Sequence, residues 1–138
     1  MNSIKCSIGR LKIPIPNSFI SAGFPSPADD YTEGSIDLNE HLIRNPFSTF
    51  FLRVRGDSMI NAGIHNQDLI IVDKSLNAKP GNIVIAMVDG EFTVKRLVRQ
   101  SDELYLKPEN NNYPDIKFTD HDDIQIWGVV TYSVHNIN

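Results

Sequence analysis

The chain has 138 residues, a formal charge of −4 and one cysteine. At about 100–200 residues per domain this length supports one folded core, and a hydrophobic fraction of 41% excludes a disordered chain. The mild acidity argues against direct sequence-specific DNA binding, because neutralising phosphates requires clustered Lys and Arg. We expect no membrane contact, since no apolar run approaches the length of a span and the polar start has no signal peptide. A lone cysteine forms no internal disulfide, which favours a cytoplasmic protein.

The first part of the chain, residues 1–40, is predicted to be an N-terminal arm that ends at the start of a short helix. Prolines recur through residues 13–28, and each fixes φ and removes a backbone donor. This stretch is therefore expected to be extended rather than a folded module. A helix is predicted at Ile36–Ile43, because Asp37 and Glu40 have the spacing of a capping box.

The rest of the chain, residues 41–138, is predicted to be a domain of short strands and hairpins, so the fold class is mostly β. The predicted strands are Thr49–Val54, Asp68–Val72, Asn82–Val88, Glu91–Arg99, Leu104–Leu106 and Ile124–Val134. The strongest signal is Asp89-Gly90, since Asp-Gly between two β-prone runs favours a two-residue type I′ turn. That turn fixes the register and predicts three cross-strand pairs: Val88 with Glu91, Ala86 with Thr93, and Val84 with Lys95.

Ser58 follows a predicted strand in the segment Gly56-Asp57-Ser58-Met59. Glycine at a strand end permits a tight turn that presents the next side chain and backbone N–H groups to one point. A serine nucleophile needs that arrangement, because the attacked carbonyl must also meet oxyanion donors. The alternative is an ordinary turn serine bonded to its own backbone.

Lys95 lies in the middle of the second hairpin strand, and period-2 alternation places it on one face with Thr93 and Leu97. A lysine among apolar neighbours is unusual, and desolvation lowers its pKa. A neutral lysine can accept the proton of a serine hydroxyl. The alternative is an edge-strand lysine whose amine reaches water and guards against aggregation.

Other catalytic arrangements find less support. None of the four histidines lies in a recognisable triad motif, and no two of them have the spacing of metal ligands in the sequence. The acidic segment around His121 is predicted to be a solvated loop, and no glycine-rich phosphate loop is present. We therefore expect no metal and no cofactor.

Four segments together resemble the LexA/UmuD family of self-cleaving serine peptidases (peptidase S24). They are residues 56–59, 68–73, 81–86 and 89–97, which contain both Ser58 and Lys95. Within the family, residues 22–31 are most similar to the cleavage region of the UmuD branch, and the arm is too short for the DNA-binding domain of the repressors.

The resemblance implies a role for each matching residue. Ser58 would be the nucleophile, Lys95 the general base and later the general acid, and Ala22-Gly23 the bond cut. It also implies a LexA/UmuD-type core acting as a homodimer.

The resemblance further implies partners. Activation would come from a RecA filament on single-stranded DNA during the SOS response to DNA damage. The cleaved chain would be the accessory subunit of an error-prone UmuC-like translesion DNA polymerase. The alternative function is a non-catalytic dimeric adaptor that regulates a polymerase or repressor complex.

Overall fold

The computed structural model describes residues 11–17, 19–25, 27, 33–121 and 123–138. They belong to two compact units that divide between Ile43 and Arg44. The fold is mostly β, as predicted, and all strand pairs in both units are antiparallel.

The first unit contains a small sheet that the sequence did not predict. Strand β1 (Ile13–Pro16) is extended as expected, but it pairs with β2 (Glu33–Ile36). Among the residues described, β1 has one neighbouring strand. The prolines allow this pairing because Pro14 and Pro16 are two residues apart, so both nitrogens can face the open side of β1. The structure therefore adds a strand pairing to the extended segment that the sequence predicted.

The predicted helix is present but shorter than expected. Helix α1 spans Leu38–Leu42, and the Asp37 side chain caps it by accepting a hydrogen bond from the Asn39 N–H at 2.9 Å. The predicted start fails because Ile36 belongs to β2, and Ile43 is the C-terminal cap with extended backbone.

The second unit is built on one sheet of seven strands. They are β3 (Thr49–Arg53), β4 (Leu69–Asp73), β5 (Ile83–Val88), β6 (Glu91–Gln100), β7 (Glu103–Lys107), β8 (Ile116–Lys117) and β9 (Ile124–Val134). Their order in the sheet is β3-β4-β9-β5-β6-β7-β8. Six of these strands were predicted within one or two residues at each end; the two-residue β8 was too short to give a pattern.

The β5–β6 hairpin forms as the sequence predicts. Asp89 and Gly90 have φ values of 49° and 88°, the positive values that a type I′ turn requires at both central positions. All three predicted pairs are present, including Val84 opposite Lys95. Strand β6 lies between β5 and β7, and its pairing with β7 begins at Arg96, one residue after Lys95.

Two apolar clusters form the core. Val84 and Ala86 belong to one, and Ile85 between them belongs to the other, so the clusters lie on opposite faces of β5. Met59, only 1% exposed, packs into the cluster of Ile85. None of the helices in the part of the chain described is long and apolar enough to cross a membrane.

Candidate active site

The turn that carries Ser58 is held between a left-handed glycine and a buried methionine. Gly56 has φ +94°, a conformation that glycine adopts without the strain of a side chain. Its N–H donates to Asn66 Oδ1 at 2.7 Å. On the other side, Met59 is anchored in the core. The half-buried Ser58 is therefore fixed at both ends while its side chain remains accessible.

The peptide between Asp57 and Ser58 is oriented by an asparagine from another loop. Asn110 Nδ2 donates to the Asp57 carbonyl oxygen at 2.9 Å. Because the C=O and N–H of a trans peptide point in opposite directions, this bond aims the Ser58 N–H away from Asn110. Within the ranges described, neither the Ser58 N–H nor the Met59 N–H donates to a protein acceptor. Of the two, Ser58 lines the cleft described below, so its N–H is the candidate donor to a ligand.

Lys95 is a buried residue of β6, opposite Val84 of β5. The residue is 9% exposed, and its Nζ donates to Thr93 Oγ1 at 2.7 Å and to the Val94 carbonyl oxygen at 3.1 Å. This low exposure argues against the alternative of an amine that reaches water. Burial lowers the pKa of Lys95, because desolvation penalises the ammonium form.

The hydrogen bonds of Lys95 match the donors of a neutral amine. An ammonium group has three N–H donors, and a neutral amine has two donors and one lone pair. Thr93 and Val94 satisfy two donors. In the neutral amine the remaining tetrahedral position is a lone pair, which can accept a proton. In the ammonium form the same position would be an N–H donor without a hydrogen-bond partner among the residues described.

A cleft brings the Ser58 turn close to the partners of Lys95. It has a volume of about 310 Å³, and its lining includes Ser58, Thr93, Val94, Ile85 and Phe92. Thr93 and Val94 are the residues that accept hydrogen bonds from the Lys95 amine. No hydrogen bond joins Ser58 directly to Lys95 among the residues described here, so the amine has to turn from these acceptors toward the serine to take its proton.

A loop that the sequence analysis missed braces both sides of this cleft. Tyr113 Oη donates to Asp57 Oδ1 at 2.6 Å, one residue before Ser58. Glu109 accepts from Arg96 Nε at 2.6 Å, one residue after Lys95. The Glu109 carbonyl oxygen also accepts from the Asn61 N–H at 3.0 Å. The cluster of polar and turn residues at 109–113 is a sequence signal of a loop, but nothing in it indicated these contacts.

Ala22 and Gly23 lie in the first unit, in an exposed bend. A Cβ atom added at Gly23 would have no neighbour within 4 Å. Packing within the bend therefore does not explain the glycine.

Comparison with known proteins identifies the family. The family model described as Peptidase S24-like matches residues 14–131. Protein SamA of Salmonella typhimurium is 51% identical over 83% of this chain and 79% of its own length. Protein MucA of Escherichia coli is 45% identical over 88% of this chain and 84% of its own length.

A third relative separates the two branches of the family. LexA repressor 1 of Geobacter sulfurreducens is 44% identical over 77% of this chain but only 51% of its own length. The predicted family is therefore confirmed, and the chain matches the UmuD-like relatives over most of their length. The chain belongs to the peptidase S24-like family, and it is a self-cleaving serine peptidase of the SOS response.

Proposed function

We propose that Ser58 and Lys95 form the catalytic dyad and that the bond cut is the one between Ala22 and Gly23. The observation that carries this proposal is the burial of the Lys95 amine, with two hydrogen bonds, beside the cleft that Ser58 lines. A buried amine of lowered pKa is suited to remove a proton from a hydroxyl group at neutral pH.

The proposed reaction has two stages. Ser58 Oγ attacks the carbonyl carbon of Ala22 while its proton passes to the Lys95 amine, and the N–H of Ser58 donates to the oxyanion that forms. The C–N bond to Gly23 then breaks, and Lys95 returns the proton to the departing amine. Water then attacks the acyl carbon while Lys95 takes its proton, the bond to Ser58 Oγ breaks, and Lys95 returns the proton to Oγ. Residues 1–22 leave, and the chain that remains is residues 23–138.

Glycine after the cut bond fits this chemistry. The exposed bend does not require a glycine at residue 23, whereas a cleft that must accept the backbone closely favours a residue without Cβ. A substrate carried on the same chain also needs little affinity of its own, because tethering sets its effective concentration.

We further propose that a RecA filament on single-stranded DNA activates cleavage, that the chain acts as a homodimer, and that the fragment joins a UmuC-like DNA polymerase. These partners belong to the cytoplasm. The hydrogen bonds that hold Lys95 away from Ser58 support a resting state that needs activation, because a partner that favours the rotated amine would shift its population.

The test is mass spectrometry after incubation with RecA, single-stranded DNA and nucleotide. We expect the wild-type chain to lose residues 1–22, and Ser58→Ala and Gly23→Glu to remain intact, the second because of bulk and charge beside the cut bond. A second cut site in the wild type, or normal processing of Gly23→Glu, contradicts the assigned bond. Normal processing of Ser58→Ala contradicts the dyad.

A further inference from the structure

Three side chains of the types that bind metals meet at one end of the large sheet. His65 and Asp68 flank the turn before β4, and His135 follows the end of β9. Their donor atoms all lie within 4.8 Å of one another. The pairing of Leu69 with Val134 brings the two segments together, which is why the sequence spacing of the histidines did not reveal the cluster.

The centre of the cluster is a buried carboxylate. The side chain of Asp68 is 1% exposed. The carboxylate accepts hydrogen bonds from the His65 backbone N–H at 2.8 Å and from the Ser133 hydroxyl at 3.0 Å. These bonds hold both of its oxygens beside the histidine rings, where a carboxylate removed from water favours a cation as partner.

One histidine nitrogen beside this carboxylate is unsatisfied. His135 Nδ1 lies 2.6 Å from Asp68 Oδ1. His65 Nδ1 is buried, lies 3.6 Å from Asp68 Oδ2, and has no hydrogen-bond partner among the residues described. Buried polar atoms without a partner are uncommon, and an unseen ion is one of the recognised explanations.

We propose that His65, Asp68 and His135 bind one divalent transition-metal ion of the zinc type. Two imidazole nitrogens and a carboxylate oxygen are a donor set that such ions prefer. Metal–nitrogen bonds of about 2.0–2.1 Å place tetrahedral ligands roughly 3.3 Å apart, within the range of spacings present. The ion replaces the proton between His135 and Asp68, and it supplies the missing partner of His65.

The site has room for an ion to enter. The side chains of His65 and His135 are each 42% exposed, so one side of the cluster faces solvent and leaves a coordination position for water. The two imidazole rings are stacked, with centroids 4.1 Å apart and planes 23° apart, so they have to turn about their side-chain bonds before both nitrogens point at one ion.

The ion would connect the C-terminal segment to the support of the Ser58 turn. The turn that contains His65 holds Val54 and Gly56: the Gln67 N–H donates to the Val54 carbonyl oxygen at 2.7 Å, and Asn66 accepts from Gly56 at 2.7 Å. Metal binding to the folded form alone stabilises that form by mass action. The inference does not depend on the proposed dyad.

The test is metal binding by the full-length chain, with zinc as the probe and a coloured chelator as competitor. We expect one ion per chain. His65→Ala and His135→Ala should each weaken binding at least about tenfold, since loss of even an outer partner has an effect of that size. The matched control is His121→Ala, which removes a histidine paired with a single carboxylate, Asp89, at 2.8 Å; its binding should equal that of the wild type.

Cobalt binding to the wild-type chain gives a result that does not depend on any variant. A four-coordinate site with nitrogen ligands should produce strong visible absorption of cobalt at one equivalent. Absence of that absorption, or zinc binding that survives in both His65→Ala and His135→Ala, overturns the proposal. Circular dichroism of each variant establishes that lost binding is not lost folding.

Discussion

Replacing Lys95 by methionine should separate catalysis from stability. Methionine has an unbranched side chain of similar length and fills irregular spaces well, but it has no proton acceptor for Ser58. We expect Lys95→Met to lower the rate of self-cleavage by about 10²–10⁴-fold, the usual effect of losing a general base.

The stability change follows from the contacts of the amine. The substitution removes the hydrogen bonds to Thr93 and Val94, each contributing about 0.5–1.5 kcal/mol. Two changes favour the variant: the free-energy cost of desolvating the amine is removed, and apolar burial adds about 0.8 kcal/mol per methylene-sized group. These contributions oppose one another, so the free energy of unfolding should fall by less than the roughly 1–3 kcal/mol that the two hydrogen bonds alone contribute.

The difference in stability between Lys95→Met and the wild type should change with pH in a definite direction. Burial lowers the pKa of Lys95 in the folded chain, whereas the unfolded chain keeps the ordinary value of about 10.4. Between these two values the unfolded chain binds more protons, so the stability of the wild type rises with pH. The free energy of unfolding of Lys95→Met minus that of the wild type should therefore be highest below the lowered pKa of Lys95. This difference should decrease as the pH rises toward about 10.4.

Urea unfolding followed by the fluorescence of Trp127 measures this difference. Trp127 packs against Phe50 and Phe92 in the second unit, so its emission reports the folding of that unit. Both chains should carry Ser58→Ala to prevent cleavage during the experiment. Equal stability–pH curves for the two chains would show that the amine is not desolvated. In the chain with intact Ser58, cleavage by Lys95→Met at the wild-type rate would show that another group is the base.

Two further predictions concern the supports of the Ser58 turn. Tyr113→Phe should slow self-cleavage roughly tenfold, because it frees the Asp57 side chain and displaces the adjacent nucleophile. The control is Tyr105→Phe, which removes a hydroxyl–carboxylate bond elsewhere and should cleave at the wild-type rate. Equal cleavage rates for the two variants in a gel assay would contradict a role of Tyr113 in positioning Ser58. Gly56→Ala and Gly90→Ala both place a side chain at positive φ without a clash, so each should reduce the free energy of unfolding by about 1–2 kcal/mol. Only Gly56→Ala should also slow cleavage, and an equal slowing by Gly90→Ala would indicate a general effect of instability.

The parts of the fold that the sequence predicted are those set by local rules. Asp89-Gly90 determines its own turn type, and the turn then fixes which residues face each other across β5 and β6. The burial of Lys95 follows from that register, since its partner Val84 is in the core. The candidate dyad could be predicted from this register together with the sequence motifs of the family.

The parts that the sequence did not reveal depend on contacts between distant segments. Nothing in the loop around Tyr113 indicates that it reaches Asp57, because the pairing of β7 with β6 decides where that loop lies. The cluster of His65 and His135 likewise depends on β4 pairing with β9. Strand β1 was missed because its prolines argue against a sheet, and only a two-stranded sheet with an open side accommodates them.

The ionisation of the Lys95 amine is the most direct test of the account. In the Ser58→Ala chain, the Cε resonance of Lys95 can be followed by NMR from about pH 6 to 11 and assigned by its loss in Lys95→Met. We predict a midpoint clearly below that of the exposed lysines of the same chain. Titration of Lys95 together with those exposed lysines, near the ordinary value of about 10.4, would contradict the account.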